Sequence, residues 1–192
     1  MLQPRYNIPD LVARRQAGEE LDFLFFWGHR PNKDGSISRT CFSQWWQGAF
    51  KAHGKTFPTA EHYMMYQKAV LFADAESAEL VLKADTPDAA KKLGRKVQNF
   101  DGAVWNQRKY GLVLEGNLYK FMQNDRLKAY LMSTGDKILV EASPYDQIWG
   151  IGMNTEHPDI QNPGLWKGEN LLGFALMEAR ERIKNSDALG FE

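Results

Sequence analysis

One stretch, FPTAEHYMMYQKAVLF at residues 57–72, constrains the fold of this chain more than any other. Pro58 and Thr59 are typical of a helix start, with Thr59 as the N-cap, and the residues that follow favour or tolerate helix. Steps of four, three and four place four side chains on one helical face: Glu61, Met65, Lys68 and Phe72. The stretch therefore predicts a helix whose apolar face also carries two charges.

Those two charges, on Glu61 and Lys68, admit two interpretations. Burying an unpaired charge costs several kcal/mol, so a charged residue on an apolar face is either solvated at the edge of that face or put to use. In the first interpretation both are ordinary surface charges. In the second, Glu61 is a catalytic carboxylate and Lys68 is a cationic anchor, and both face a cleft.

The composition indicates one globular domain over residues 1–192, with its core at about 22–184. The 43% share of hydrophobic residues and the 25% share of charged residues are those of an ordinary globular protein. Lys plus Arg and Asp plus Glu both number 24, so the formal charge is zero. The chain therefore has no net positive charge that would attract nucleic acid or an anionic membrane. A local basic groove is compatible with this charge balance.

The single cysteine, Cys41, excludes an intramolecular disulfide and any cysteine-cluster metal site. Residues 1–15 hold no apolar signal region, and no uncharged run approaches the roughly 18 residues that span a bilayer. We therefore expect a cytoplasmic protein with no membrane partner.

Hydrophobic periodicity and capping residues predict a mainly α-helical α+β fold with a few short strands, antiparallel or mixed. Helices are expected at 10–20, 59–72, 74–83, 86–94, 101–123, 125–133 and 170–184, followed by a frayed polar tail from Asn185. Strands are expected at 21–27, 41–46 and 138–142. The first two strands, joined by a polar turn at 31–36, suggest a hairpin. The long irregular loop at 143–163 is of a kind that is usually functional.

A second unusual stretch, LVEASPYDQIWGIG at residues 139–152, combines acids, aromatic residues and glycines. A strand delivers Glu141, and a turn then presents Asp146 beside Trp149 and Gly150. Acids at a strand end, followed by glycines that let a ligand approach the backbone, are typical of a binding site. In the alternative interpretation, Asp146 only caps a turn and Trp149 lies in the core.

The chain lacks the sequence patterns of the common cofactor sites. Neither Gly-x-Gly-x-x-Gly nor the Walker pattern occurs, which argues against a dinucleotide dehydrogenase and a mononucleotide kinase. The four histidines lack metal-ligand spacing: His29, His53, His62 and His157. We expect no cofactor and no metal.

Seven short motifs follow one another along the chain: FFWGH at 25–29, FPTAEHYMMYQKA at 57–69, AAKKLGRKV at 89–97, Trp-x-x-Arg at 105–108, KFMQN at 120–124, LVEASPYDQIWGIG at 139–152, and W-x-G-x-NLLGFALMEAR at 166–180. In this order they resemble the NADAR superfamily, also called YbiA-like, over about residues 24–183. The chain departs from the family at its N-terminal motif. Many members have a Leu-Ser-Asn-Phe-like stretch there, whereas this chain has FFWGHRP and an additional SQWWQG segment.

The resemblance implies a YbiA-like fold and N-glycosidase chemistry, in which the bond between a ribose C1 and a nitrogen of a base-like leaving group is cleaved. It implies two substrate classes: phosphorylated ribosylamino-pyrimidine intermediates of riboflavin synthesis, and ADP-ribose attached to a nucleobase, notably guanine in DNA. The partner is then a small ribosyl-phosphate or ADP-ribose conjugate, or ADP-ribosylated DNA. The alternative is a module that binds ADP-ribose or NAD without turnover.

By their positions in the motifs shared with the family, Glu61, Asp146 and Trp105 resemble its catalytic residues. Glu61 is assigned to stabilise the oxocarbenium-like sugar or to activate water. Asp146 is assigned to assist the leaving group, with Glu141 as the alternative, and the roles of the acids are interchangeable at this stage. Trp105 offers an indole face for the base, unless it is a core tryptophan.

The other predicted substrate-binding residues fall into three groups. Lys68 and Arg108 resemble ligand anchors, and arginine suits phosphate because it donates two parallel hydrogen bonds. Trp27 and His29 lie in the FFWGH turn and are expected to line the pocket. The remaining candidates are Glu141, Trp149, Gly150 and Asn170, of which Asn170 is either an N-cap or a ligand contact.

Overall fold

The computed structural model describes residues 4–188, and these divide into two compact units. One unit is residues 44–125, and the other combines residues 4–43 with residues 126–188. Helices outnumber short strands in both units, so the predicted mainly helical α+β class is confirmed. A single domain over residues 1–192 stays a prediction, and residues 1–3 and 189–192 lie outside the described residues.

The 44–125 unit begins with an antiparallel hairpin of two strands, β2 (Phe50–Ala52) and β3 (Lys55–Phe57). Phe50 pairs with Phe57 across the hairpin, and both side chains are buried. The two loop residues, His53 and Gly54, both have positive φ, of 50° and 73°. Such a pair favours a type I′ turn, whose twist matches that of the strands. The hairpin thus leads directly into the helix that the 57–72 stretch predicts.

That helix is α2 (Ala60–Leu71), and it lies at the centre of the unit. It contacts strand β3 and three further helices: α3 (Ala75–Leu82), α4 (Pro87–Gly94) and α5 (Gly102–Met122). All four helices agree with the predicted ranges to within one or two residues. The helix that carries Glu61 and Lys68 therefore packs against several other elements of the same unit.

The starts of these helices follow from their capping residues. Thr59, Asp74, Thr86 and Asp101 each accept a backbone N–H bond from the first turn of the helix that they precede. These bonds satisfy donors that have no partner within the helix. Pro87 occupies the first helical position of α4, where a missing N–H costs nothing. The predicted N-cap at Thr59 is confirmed.

Two glycines allow helices to approach α2 closely. A Cβ atom at Gly116 of α5 would lie 2.6 Å from Cδ1 of Tyr63, which is fully buried on α2. A Cβ atom at Gly94, at the end of α4, would overlap Met65. Larger residues at Gly94 and Gly116 would push α4 and α5 away from the central helix, because interiors are close-packed.

The second unit contains a parallel pair of strands, β1 (Phe23–Phe26) and β4 (Ile138–Glu141). Phe23 pairs with Ile138, and Phe26 with Glu141, so both strands end at the same edge. β4 also contacts the C-terminal helix α7 (Leu171–Ala188). The side chains of Ile138, Leu139 and Val140 are all buried, as expected of a strand covered by other elements.

The predicted strand at 41–46 and its hairpin with 21–27 are wrong. Residues Arg39–Phe42 form a 3-10 turn, and residues 43–49 have no regular structure. Cys41, Phe42 and Trp46 are nevertheless buried. These residues are apolar because they pack in the core. A short apolar run has the same sequence pattern in a buried strand and in a buried irregular segment, so it was interpreted as a strand.

The remaining helices are α1 (Ile8–Gln16) and α6 (Asp125–Ser133). α1 begins two residues before the predicted start, because Asn7 caps it by accepting the Asp10 N–H. α7 continues past the predicted end at Lys184 to Ala188, so the first residues of the expected frayed tail are helical. No helix within residues 4–188 has the length and apolar character needed to cross a membrane.

Candidate functional site

Glu61 lies in the first turn of α2, and only 3% of its surface is exposed. Its backbone N–H donates a 2.9 Å hydrogen bond to the carbonyl oxygen of Gln44. The side chain therefore sits at the positive end of the helix dipole, where a negative charge is stabilised. The interpretation of Glu61 as a solvated surface charge is wrong, because the residue is buried.

Two buried amides that the sequence did not single out lie next to this turn. Asn117 of α5 donates from Nδ2 to the carbonyl of Val113 at 2.8 Å and to Oε1 of Gln44 at 3.0 Å. Because the Val113 carbonyl accepts only from an N–H group, it fixes which way both amides point. Gln44 Nε2 and Asn117 Oδ1 then have no hydrogen-bond partner within residues 4–188. Gln44 belongs to the SQWWQG segment that distinguishes this chain from many family members.

His62 follows Glu61 in sequence, but its ring makes structural hydrogen bonds within its own unit. Nδ1 lies 2.7 Å from the Thr59 hydroxyl, and Nε2 lies 3.0 Å from the carbonyl of Ala84. Burial lowers the pKa of His62 below its usual value, so the ring is neutral near pH 7. A neutral ring held at both nitrogens by its own unit is suited to fixing the start of α2.

Lys68 and Trp105, which the sequence assigned to the site from separate motifs, lie close together in the fold. The Lys68 ammonium donates to the Gly94 carbonyl at 2.8 Å and lies 5.6 Å from the centre of the Trp105 ring. It lies closer still, at 4.2 Å, to the ring of Phe100. Burial lowers the pKa of Lys68, and cation–π contacts of this kind offset part of the lost hydration.

Trp105 is half-buried, so it is not a fully enclosed core tryptophan, and its assignment to hold the base stays a prediction. It packs against an apolar cluster of its own unit: Ala69, Phe72, Ala78 and Val97. Part of the ring remains exposed beside Phe100, whose side chain is 49% exposed. Sequence reasoning missed Phe100, although a phenylalanine in the polar QNFDG turn was a usable signal. Arg108 lies one helical turn beyond Trp105 and is exposed.

In the second unit, several predicted residues lie where the two parallel strands end. Trp27 and His29 follow β1, and Glu141 is the last residue of β4. In open sheets, side chains beyond the carboxyl ends of parallel strands commonly form binding sites. Trp27 is 51% exposed, and its ring centre lies 6.3 Å from that of Tyr145, which is 87% exposed. Tyr145 was missed, because a tyrosine in a polar loop carries no periodic signal.

Asp146 orders the turn that follows β4. Its Oδ1 atom accepts backbone N–H bonds from Ile148 at 2.9 Å and from Trp149 at 2.7 Å. Its own carbonyl accepts from Gly152 at 3.1 Å. These contacts match the turn-capping alternative, and Trp149 is half-buried. A catalytic role for Asp146 stays a prediction, as does the alternative role of Glu141.

Gly150 and Asn170 hold the loop and the last helix against β4. A Cβ atom at Gly150 would lie 2.8 Å from the Glu141 carbonyl, so only glycine lets the loop approach the strand end. Asn170 accepts the Glu141 N–H at Oδ1 and donates from Nδ2 to the Leu139 carbonyl, both at 3.0 Å. Both polar groups of the Asn170 side chain are thus engaged by the strand. Its assignment to substrate binding stays a prediction.

Within the described part of the chain, no three His, Cys, Asp or Glu side chains are placed to hold one metal ion. Of the predicted site residues, Lys68 and Trp105 lie close to one another, and the chemical roles of all the predicted residues stay predictions.

Comparison with known proteins assigns this chain to a family. The NADAR domain model matches residues 25–184 of this chain. The chain therefore belongs to the NADAR domain family, and the resemblance noted from its motifs is confirmed.

Individual relatives agree with this placement. The chain is 40% identical over 164 residues to an N-glycosidase of Acanthamoeba polyphaga mimivirus, covering 83% of this chain and 95% of that protein. It is 33% identical over 142 residues to N-glycosidase YbiA of Escherichia coli K12, covering 74% of this chain and 80% of YbiA. The predicted enzyme class, a hydrolase acting on N-glycosyl bonds, is confirmed at that level.

A solved structure extends the comparison to the fold. The NMR structure of Escherichia coli YbiA superposes with a TM-score of 0.70 at 29% identity and covers 88% of this chain and 90% of that one. The predicted YbiA-like fold is confirmed.

We expect Asn170→Ala to destabilise the protein by about 3 kcal/mol, because it removes two buried hydrogen bonds and leaves the Glu141 N–H and the Leu139 carbonyl unsatisfied. Asn170 also has a φ of 53°, which alanine adopts less readily than asparagine or glycine. Urea denaturation measures the change. Asn170→Gly, which relieves the φ requirement and still removes both bonds, should be destabilised less than Asn170→Ala. Wild-type stability in both variants would contradict the structural role of the side chain.

Proposed function

We propose that this enzyme hydrolyses the bond between ribose C1 and the nitrogen of a base-like leaving group in a phosphorylated ribosyl or ADP-ribosyl conjugate. The observation that carries the proposal is a buried carboxylate, Glu61, two helical turns before Lys68 on the same face of α2, with Trp105 of α5 beside Lys68. A carboxylate, a cation and an aromatic face are the three groups that such a substrate requires.

Glu61 is the proposed catalytic carboxylate. Cleavage of a C1–N bond develops positive charge on the sugar, and a carboxylate beside C1 stabilises that charge or activates the attacking water. A buried carboxylate does this better than a solvated one, because electrostatic interactions strengthen where water is excluded. The Gln44 carbonyl and the Thr59 cap fix the helical turn that carries Glu61, so the group is held in place before substrate binds.

Trp105, Phe100 and Lys68 are proposed to receive the base and the phosphate. Trp105 and Phe100 each leave part of a ring exposed, and stacking a base on an aromatic ring contributes about 1–3 kcal/mol in single-strand nucleic-acid complexes. The Lys68 ammonium is compact and half-buried, which suits it to hold a single phosphate oxygen. Arg108, one turn further along α5, is exposed and can donate two parallel hydrogen bonds to a phosphate.

The finer substrate choice is also a proposal. The two classes implied by the family are ribosylamino-pyrimidine phosphates of riboflavin synthesis and ADP-ribosylated guanine in DNA. Both contain a phosphorylated ribose joined to a nitrogen base, so the same three groups suit either. A cytoplasmic location accords with both substrates and belongs to the same proposal.

The direct test is a paired hydrolysis assay with Glu61→Gln. Wild-type protein is incubated separately with an ADP-ribosylated guanine oligonucleotide and with the ribosylamino-pyrimidine phosphate, and mass spectrometry follows sugar release. We expect release from at least one substrate and a loss of about a hundredfold or more in Glu61→Gln, because the near-isosteric amide lacks the charge. Glu76→Gln is the matched control, since Glu76 is an exposed acid in the first turn of α3.

The outcomes separate the alternatives. Wild-type activity in Glu61→Gln would move the catalytic role to another acid. If both substrates stay intact while the protein still binds ADP-ribose, the chain is a binding module without turnover.

Trp105→Ala should weaken substrate binding and raise KM, by an amount equivalent to about 1–3 kcal/mol of lost stacking. Trp105→Phe keeps an aromatic face, so its KM should lie between that of Trp105→Ala and that of the wild type. Thermal unfolding is recorded alongside, because Trp105 also packs against the apolar cluster of its unit. A fall in kcat at unchanged KM in Trp105→Ala would contradict the stacking role.

A further inference from the structure

A cavity of about 340 Å³ in the second unit includes none of the residues assigned so far. Its lining residues come from the chain before α1, from the α6 end and following turn, and from α7: Tyr6, Met132, Gly135, Asp136, Met177, Arg180, Glu181, Lys184 and Asn185. Met177 and Arg180 are buried, whereas Asp136, Lys184 and Asn185 are exposed. The volume lies at the lower end of the range, about 300–1,000 Å³, of pockets that hold small molecules.

Arg180 is a buried cation whose direct partners are neutral. Only 8% of the residue is exposed, and Nη1 donates to the Thr134 hydroxyl at 2.7 Å and to the Lys137 carbonyl at 3.0 Å. Within residues 4–188, no carboxylate oxygen lies within 4.0 Å of its guanidinium. Burial lowers the pKa of Arg180. A buried charge whose hydrogen bonds all go to neutral groups is costly, and Asp136 and Glu181 act on Arg180 only through space.

The neighbouring acids do not supply a direct counter-charge. The Glu181 carboxylate is engaged by Arg5 at 2.8 Å and by the Tyr6 hydroxyl at 3.0 Å. Lys184 adds a second positive charge to the lining, and Asp136 opposes it with one negative charge. The lining itself holds two cations, Arg180 and Lys184, and two carboxylates. Counted together with Arg5, which pairs with Glu181 from outside the lining, these charges sum to +1.

We propose that this cavity binds a small phosphate monoester, with the phosphate on Arg180 and Lys184 and the organic group against Met132 and Met177. Guanidinium groups are suited to phosphate because they donate parallel hydrogen bonds to two of its oxygens. The Thr134 and Lys137 contacts hold the Arg180 guanidinium through Nη1 and so orient it in advance. The two flexible methionines provide an apolar wall that adapts to different organic groups.

Isothermal titration calorimetry with two probes tests the proposal. It distinguishes binding of the phosphate group alone from binding that also involves the organic group. Inorganic phosphate measures the anion site alone, and phenyl phosphate adds an apolar group. We expect a saturable site that depends on Lys184 and that binds phenyl phosphate more tightly than inorganic phosphate. Arg180 is left unchanged, because its hydrogen bonds also connect α7 to the turn at residues 134–137.

Three variants and one control assign the binding to this cavity. Lys184→Met should weaken phenyl phosphate binding about fivefold, and Asp136→Asn should tighten it about twofold, since each changes one charge of the lining. Lys68→Met alters the proposed active site in the other unit, which is also proposed to hold a phosphate, and should leave in place the part of the binding that depends on Lys184. Arg182→Met is the matched control: it removes one positive charge from the same helix, but Arg182 pairs with Glu178 and does not line the cavity.

Three results would overturn the proposal. The first is the absence of saturable binding of either probe by the wild-type protein. The second is equal weakening in Arg182→Met and Lys184→Met, which indicates a non-specific charge effect. The third is loss of binding in Lys68→Met with Lys184→Met unaffected, which places the phosphate at the active site. Because binding here needs no turnover, a failure of the proposed hydrolysis would leave this result interpretable.

Discussion

The burial of the first turn of α2 is the constraint on which the proposed chemistry depends. A carboxylate that is 3% exposed has lost most of its hydration, so the surrounding structure must compensate for it. The helix N-terminus contributes a favourable dipole, and the Gln44 carbonyl fixes the Glu61 backbone. The hairpin before α2, the Thr59 cap and the close approaches at Gly94 and Gly116 all serve to hold this one turn inside the unit.

The same packing explains the position of Lys68 and Trp105. Gly94 lets α4 end against Met65, and its carbonyl is then placed to accept the Lys68 ammonium. Trp105 lies in the first turn of the long helix α5 and packs against the apolar cluster around Ala69. A cation and an aromatic ring are thus fixed by core contacts, which lowers the entropy lost when a ligand binds.

The sequence predicted the local features well and the long-range ones poorly. The caps at Thr59, Thr86 and Asp101 act within four residues, so the helices α2, α4 and α5 were correct to within two residues. The pairing of β1 with β4 joins residues far apart in sequence, and no local pattern distinguishes it from the hairpin that was predicted wrongly. The buried amides of Gln44 and Asn117 were missed for the same reason, because only the folded unit brings them together. Asn170 was recognised as special, but its bonds to β4 depend on a strand that lies about thirty residues earlier.

The proposed reaction breaks a C1–N bond by adding water to the sugar. Mass spectrometry of both products, after hydrolysis in water labelled with heavy oxygen, shows where the water oxygen goes. We expect one heavy oxygen in the released sugar and none in the released base, because the attacking water bonds to C1. Label in the base and none in the sugar would contradict the proposed reaction, since water would then have attacked the leaving group instead of C1.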